Sequence, residues 1–231
     1  MKRLQTLASH LRGLLYRPAA QVVDDTRWVV LDVETSGLNV KSDRLLAIAA
    51  IAIHVQGQTP RIALGDSFEV VLRHEGQWVD KSNILLHGIG VGAQRQGVEP
   101  AAAMQAFERY IGSSPLIAFH AAFDQAMILR TFDTALARRP GNPWLDLEPL
   151  AAVLHPRSQA RSLDEWMTEL DITCAVRHQA AADTLATAEL LLKLWPTARR
   201  ALGNATGFAA VKQLADRFFN IYILKNSIFK I

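Results

Sequence analysis

The stretch VVLDVETSGL, residues 29–38, sets two carboxylates two positions apart at the end of an apolar run and closes it with Thr-Ser-Gly. Side chains at i and i+2 of a strand share a face, so Asp32 and Glu34 stand side by side while Val33 enters the opposite layer. Two neighbouring negative charges at the end of a buried strand repel each other and lose hydration. Such a pair needs a cation.

The rest of the sheet is read outward from this strand. Strand-like runs fall at about 28–34, 45–55 and 67–73, separated by the turn segments GLNVKSD and QGQTPR, and predict an antiparallel meander. Pro100 opens a helical segment, PAAAMQAFERYIG, that Gly112 closes. PLIAFH reads as a fourth strand and leads into a helix over about 123–139, with Ile128, Phe132, Ala135 and Leu136 on one face. WLDL at 144–147 supplies a fifth strand. Ser162 with Glu165 forms a capping box before Trp166, Met167 and Leu170. The last core helix begins near Ala180 and is expected to stop at Pro196. The fold class is therefore α/β: a mixed five-stranded sheet, three antiparallel strands and then two joined through helices, flanked by helices.

Composition sets the limits. With 231 residues, half of them apolar and a fifth charged, the chain can bury one sizeable core. The expected division is an amphipathic helical extension over 1–27, a domain over 28–195 and a helical, apolar extension over 196–231. Leu4, Leu7, Leu11, Leu14 and Leu15 form a stripe in the first extension, and His10 and Arg12 interrupt any signal-peptide core. The tail FFNIYILKNSIFKI is far short of the roughly 20 apolar residues that span a bilayer, so no membrane span is expected. The single cysteine, Cys174, excludes an intrachain disulfide and fits a reducing, cytoplasmic setting.

The excess of 25 Lys and Arg over 22 Asp and Glu is small, although the pI is near 9.2. It permits a polyanionic partner without demonstrating one. Arg157, Arg161 and Arg177 lie in the segment leading to His178, and Arg199 and Arg200 follow the next helix. Gly88, Gly90 and Ala93 have the spacing of a dinucleotide-binding fingerprint, but Gly97 and Pro100 interrupt the long helix such a site requires, so this segment reads as a loop.

Beyond Asp32 and Glu34, Asp124 starts the helix after PLIAFH, and Asp183 starts the last helix with His178 five residues before it. Either acid alone is explained by the helix dipole, which favours negative charge in a first turn. Together, the order Asp32-Val-Glu34-Thr35-Ser36-Gly37, His120-Ala-Ala-Phe123-Asp124 and His178-Gln-Ala180-Ala-Ala-Asp183 resembles the three motifs of the DEDDh (DnaQ-like) 3′-to-5′ exonuclease family, the group typified by the proofreading subunit of bacterial DNA polymerase III. The similarity covers roughly residues 28–195, with weaker likeness at LLHGI, LDL and SLDEW. One position departs: His120 stands where the family usually has Asn.

The resemblance implies a ribonuclease H-like sheet and phosphodiester hydrolysis assisted by two Mg2+ or Mn2+ ions about 3.5–4 Å apart. It makes Asp32, Glu34, Asp124 and Asp183 the metal ligands. Asp32 would bridge both ions, Glu34 and Asp183 would complete the site of the ion that activates water, and Asp124 would support the second. Oxygen ligands suit these hard ions. His178 would be the general base, a task suited to an imidazole. Thr35, Leu38 and His120 are carried over as substrate contacts, Leu38 as an apolar wedge against the terminal base. His87, alone in a short apolar stretch, reads as a packed side chain.

The implied partners are single-stranded DNA or RNA 3′ ends, and a polymerase or other protein docking on the terminal extensions. Single-stranded DNA or an unpaired 3′ end is the first reading of the substrate. The alternatives are an RNA-trimming 3′-to-5′ exoribonuclease similar to RNase T or oligoribonuclease, and a weakly catalytic, polymerase-associated nucleic-acid-binding module.

Overall fold

β1 (Arg27–Thr35) is the centre of a five-stranded sheet of order β3-β2-β1-β4-β5. The computed structural model describes residues 22–56, 59–74, 81–203, 205 and 207–217. β2 (Leu45–Gln56) pairs antiparallel with β1, and β3 (Thr59–Val71) antiparallel with β2. On the other side β4 (Leu116–Ala118) runs parallel to β1, and β5 (Trp144–Asp146) parallel to β4. The mixed sheet expected from the sequence is the one observed. Among the described residues, α1 (Lys81–His87), α2 (Val91–Gln96) and the longer α3 (Pro100–Ile111) precede β4, and α4 (Ala121–Leu136) joins β4 to β5. α5 (Leu147–Leu154), α6 (Leu163–Glu169) and α7 (Ala180–Leu202) follow, with a further helical stretch over 208–217.

The pleat of β1 sorts the two cores. Val29, Leu31 and Val33 pack with Met104 and Phe107 of α3 and Ile128 and Phe132 of α4. Trp28 and Val30 pack on the other face with Trp166, Leu190, Leu191 and Leu194. Trp28 is fully buried and meets Trp195 and Phe208 edge-on, with ring centroids 5.5 and 5.4 Å away. Asp32 and Glu34 continue the face of Trp28 and Val30, so period two alone aims both carboxylates toward the layer of α7. Thr184 fixes the start of α7 on the sheet by donating its hydroxyl to the Ala49 carbonyl at 3.2 Å.

Three boundaries differ from the sequence reading. α7 does not stop at Pro196 but runs through it to Leu202. A proline within a helix costs roughly 3 kcal/mol, yet Leu194, Trp195 and Ala198 are buried on either side of it, and burying a large apolar side chain returns a similar amount. The division expected at 195/196 therefore falls inside a helix, and Phe208, Val211 and Leu214 beyond it belong to the Trp28 core. β3 begins at Thr59 rather than near 67, because a solvated edge strand tolerates the polar residues and the Pro60 that weakened its signal. α4 spans Ala121–Leu136, ending at Ala137 in the left-handed conformation rather than near 139.

The Gly88-Gly90-Ala93 segment has a helix, not a strand, before it, and α2 ends at Gly97. A Cβ at Gly97 would lie 2.7 Å from the Leu72 backbone, so its glycine serves a close chain approach. No helix among the described residues is long and apolar enough to cross a membrane. The leucine stripe of residues 4–15 and the apolar tail of 218–231 lie outside the described residues.

In the β2–β3 pairing the register jumps from Ile51–Ser67 to Ala52–Ala63, leaving Leu64, Gly65 and Asp66 outside the ladder. The displaced Asp66 accepts a two-pronged bond from Arg27 Nε and Nη2, each 2.8 Å, and lies 3.1 Å from His54 Nε2. Arg27 also donates to Ser114 Oγ and stacks over Tyr110 at 4.8 Å. Arg27 holds the Asp66 carboxyl down at about 2, below the ordinary carboxylate range. A depressed carboxyl adds stability above its unfolded pKa near 4 and loses it as pH falls through the folded value. Asp66→Asn should lower stability at neutral pH by roughly 1–2 kcal/mol, and the gap from wild type should close as pH drops from about 4 toward 2. Urea midpoints of both proteins across that range measure it; a gap independent of pH would refute the assignment.

Candidate active site

The C-terminal end of β1, the loop ending in His120, and the segment between α6 and α7 enclose one concavity, lined by Asp32, Glu34, Leu38, Phe119, His120, Asp164, Arg177, His178 and Asp183 among others. β1 delivers Asp32 and Glu34. The parallel β1–β4 pairing brings the start of α4 to the same end of the sheet, where Asp124 in its first turn is 5% exposed. α7 brings Asp183 in its own first turn, 6% exposed. The four expected acids thus gather at one sheet end, with Asp124 behind the lining and the other three on it.

Burial and mutual repulsion act on these acids together. Burial pushes the Asp32 carboxyl well above its ordinary range, and the charges of Asp124, Glu34 and Asp183 push it the same way, against Arg177. Burial and then Asp183 raise Glu34 to about 7, with Arg177 and the Ala180 amide opposing. Asp124 rises to about 8, chiefly through burial, partly offset by backbone amides of its own residue and Val33. The donor set is all carboxylate oxygen, the chemistry that a hard divalent cation satisfies.

Asp183 is engaged by protein groups. Oδ1 forms an ion pair with Arg177 Nη1 and accepts the Cys174 thiol at 3.5 Å, while Oδ2 accepts the His178 backbone N–H at 3.0 Å. Among the described residues, no three His, Cys, Asp or Glu side chains form a ready-made metal cage in this arrangement. His178 lies on the segment before α7, as the spacing to Asp183 required, and adopts a left-handed backbone with φ of 61°.

The expected substrate contacts have distinct settings. Leu38 is 86% exposed on the rim of the concavity. The Thr35 hydroxyl donates to the Gly37 carbonyl at 2.8 Å, so it first serves the turn. His120 stands at the N-cap of α4 with φ of 57°, donates its backbone N–H to Asp146 Oδ1 at 3.0 Å, and tilts against the Phe119 ring at 48° with centroids 4.6 Å apart. His87 is buried away from the lining, its Nδ1 accepting the Ile89 N–H at 3.0 Å, and burial lowers its pKa.

The sequence reading missed four groups here. Asp146 positions both His120 and the start of α5, accepting the Glu148 N–H at 3.1 Å. Arg177 and Asp164 line the concavity as an ion pair, and Cys174, which the sequence marked only as a lone cysteine, is half-buried and hydrogen-bonded to Asp183. Arg177 was visible only as one of several arginines, and nothing in its local sequence ties it to Asp164 or Asp183.

A model of the RNase_T family, described as Exonuclease, matches residues 29–191. A DNA polymerase III subunit epsilon-like protein of Rhodobacter capsulatus is 33% identical over 192 residues, covering 82% of this chain and 26% of that protein. A PolC-type DNA polymerase III of Bacillus cereus is 30% identical over 181 residues, covering 78% of this chain and 12% of that protein. The chain thus spans little more than a quarter of these relatives at most. Escherichia coli exonuclease I, solved with a dA16 oligonucleotide, superposes with a TM-score of 0.62 at 17% identity, covering 76% of this chain and 43% of the other. That likeness establishes the fold.

Clustered carboxylates cost stability until a cation arrives. In chelator at mildly alkaline pH, Asp124→Asn should unfold at a higher temperature than wild type. Mg2+ at a hundred times Kd should stabilise the wild type by about 3 kcal/mol and so raise its midpoint by more than the variant's. Thermal unfolding with and without Mg2+ measures both, and a variant less stable than wild type in chelator would show that repulsion is not the dominant force.

Proposed function

The chain belongs to the RNase_T exonuclease family, and from that premise we propose that it is a metal-dependent 3′-to-5′ exonuclease acting on single-stranded DNA or unpaired 3′ ends. The observation that carries this reading is the gathering of Asp32, Glu34, Asp124 and Asp183 at one sheet end with His178 beside them. A module that only bound nucleic acid would have no need for four acids repelling an anionic ligand. The oligonucleotide carried by exonuclease I supports a single-stranded substrate, and the polymerase III relatives support a polymerase partner.

Mg2+ or Mn2+ fits these residues: two ions held by Asp32, Glu34, Asp124 and Asp183 would supply Lewis-acid stabilisation of the charge that develops at the phosphate. The protein's own part lies in proton transfer and placement. The His178 imidazole accepts a proton from water as its oxygen attacks phosphorus. The P–O3′ bond breaks and the departing O3′ takes up a proton from solvent, leaving a 3′-hydroxyl on the shortened strand and releasing a nucleoside 5′-monophosphate, after which the imidazolium returns its proton to solvent. Leu38, exposed at the rim, offers an apolar surface to the terminal base, and the Phe119–His120 pair adds two rings to the same lining. A reducing, cytoplasmic setting suits the unpaired Cys174.

The test digests 3′- and 5′-labelled single-stranded DNA and RNA of one sequence with Mg2+, with Mn2+ and with chelator. Mononucleotides should leave the 3′ end only with metal, and faster from DNA. Asp183→Ala and Asp32→Asn should abolish release while the proteins stay folded, and retained turnover in either would sink the assignment. His178→Ala should lower kcat by about 10²–10⁴-fold with metal binding intact, the usual worth of a general base. Unchanged kcat would remove His178 from that role.

A further inference from the structure

The Arg177 guanidinium bridges two acids of opposite exposure. Outward, Nε and Nη2 bond the two Asp164 oxygens at 2.5 and 3.2 Å. Inward, Nη1 forms an ion pair with Asp183 Oδ1 that lacks hydrogen-bond geometry. The Asp164 side chain is 59% exposed and that of Asp183 8%. The outer contact is thus a planar fork, and the inner one a charge contact at a buried carboxylate.

We propose that Arg177 is a phosphate-positioning residue that is stored on Asp183 until a divalent cation displaces it. This rests on the metal-dependent nuclease reading above. A guanidinium and a divalent cation are both positive and cannot both take the same buried carboxylate oxygen. Once the cation takes Asp183, Nη1 is a buried donor that has lost its acid and faces the cation's positive charge, a state that drives it out while Asp164 still holds the rest of the guanidinium. Asp164 uses only two of the five guanidinium N–H groups and anchors the side chain at the rim. Arg177 already lines the concavity with Leu38 and Phe119, so a turn about that anchor presents its free donors to a strand lying there. The fork matches phosphate oxygens, which lysine as a point charge does not. One residue then balances the acids in the empty site and grips the anion in the filled one.

The experiment uses the full chain. Calorimetric titration with Mn2+, without nucleic acid, compares wild type with Arg177→Gln. Binding of a 5′-labelled single-stranded oligonucleotide in Mn2+ is then measured as a function of salt in the His178→Ala background, with and without Arg177→Gln. Arg177→Gln should bind Mn2+ about five- to tenfold more tightly and the oligonucleotide about five- to tenfold more weakly. The slope of log K against log salt should become shallower by about 0.7, the share of one phosphate contact on a single strand. Arg177→Lys should restore part of the salt slope. Unchanged or weaker Mn2+ affinity in Arg177→Gln overturns the storage on Asp183; tighter Mn2+ binding with unchanged oligonucleotide affinity and slope overturns the phosphate role. If Arg177→Gln does not fold, Asp164→Asn at the exposed anchor replaces it, with weaker oligonucleotide binding expected and an unchanged oligonucleotide affinity overturning the proposal. A wild-type protein that neither binds Mn2+ nor hydrolyses the strand would instead defeat the nuclease reading itself.

Discussion

Asp32, Glu34 and Asp124 are held where water hydrates them poorly and where each raises the cost of charging the others. The backbone gives them no freedom to separate. Asp32 and Glu34 are fixed by the pleat of β1, and β1 is fixed from both sides by buried side chains. Asp124 and Asp183 stand in the first turns of α4 and α7, where helix dipoles favour negative charge but do not neutralise it. The fold therefore imposes a charge imbalance, and the chemistry of the site is whatever resolves it. In this arrangement Arg177 resolves part of it, at Asp183.

The two cores explain why such an arrangement survives. On one face of β1, α3 and α4 bury Phe107 and Phe132; on the other, α7 and the 208–217 stretch close over Trp28. On the acids' own face the apolar contacts of β1, from Trp28 and Val30, lie toward its start and middle, whereas Leu31 and Val33 beside the acids pack on the opposite face. Stability and reactivity are thereby divided between the end and the face of one strand that carry the acids and the rest of it. A helix that carries Pro196 without ending shows how strongly that packing outweighs local preference.

What could be read in the sequence followed from how local its cause is. The alternation that places Asp32 and Glu34 on one face is contained within β1, and the Ser162–Glu165 capping box was legible for the same reason. The early start of β3 was not, since an edge strand has little apolar pattern to display. The site divides in the same way. Four acids and His178 were found from motif order, whereas Arg177, Asp164 and Asp146 act through partners 6 to 26 positions away in Arg177–Asp183, Arg177–Asp164 and His120–Asp146 contacts. Only a folded chain brings those together.

His120 and His178 show what that folding adds. Both take left-handed backbone conformations, with φ of 57° and 61°, which for a residue bearing a Cβ cost about 1 kcal/mol or more. In each case the backbone N–H is spent on a carboxylate, Asp146 for His120 and Asp183 for His178, at 3.0 Å. The two strained turns begin the two helices that carry Asp124 and Asp183. Strain at these points thus aims an amide at an acid and starts a helix whose first turn brings an acid to the sheet end, Asp124 after His120 and, after His178, the same Asp183 that accepts the amide. The departure of His120 from the expected asparagine is tolerated on these grounds, because its backbone conformation and amide, which asparagine shares, perform the structural task.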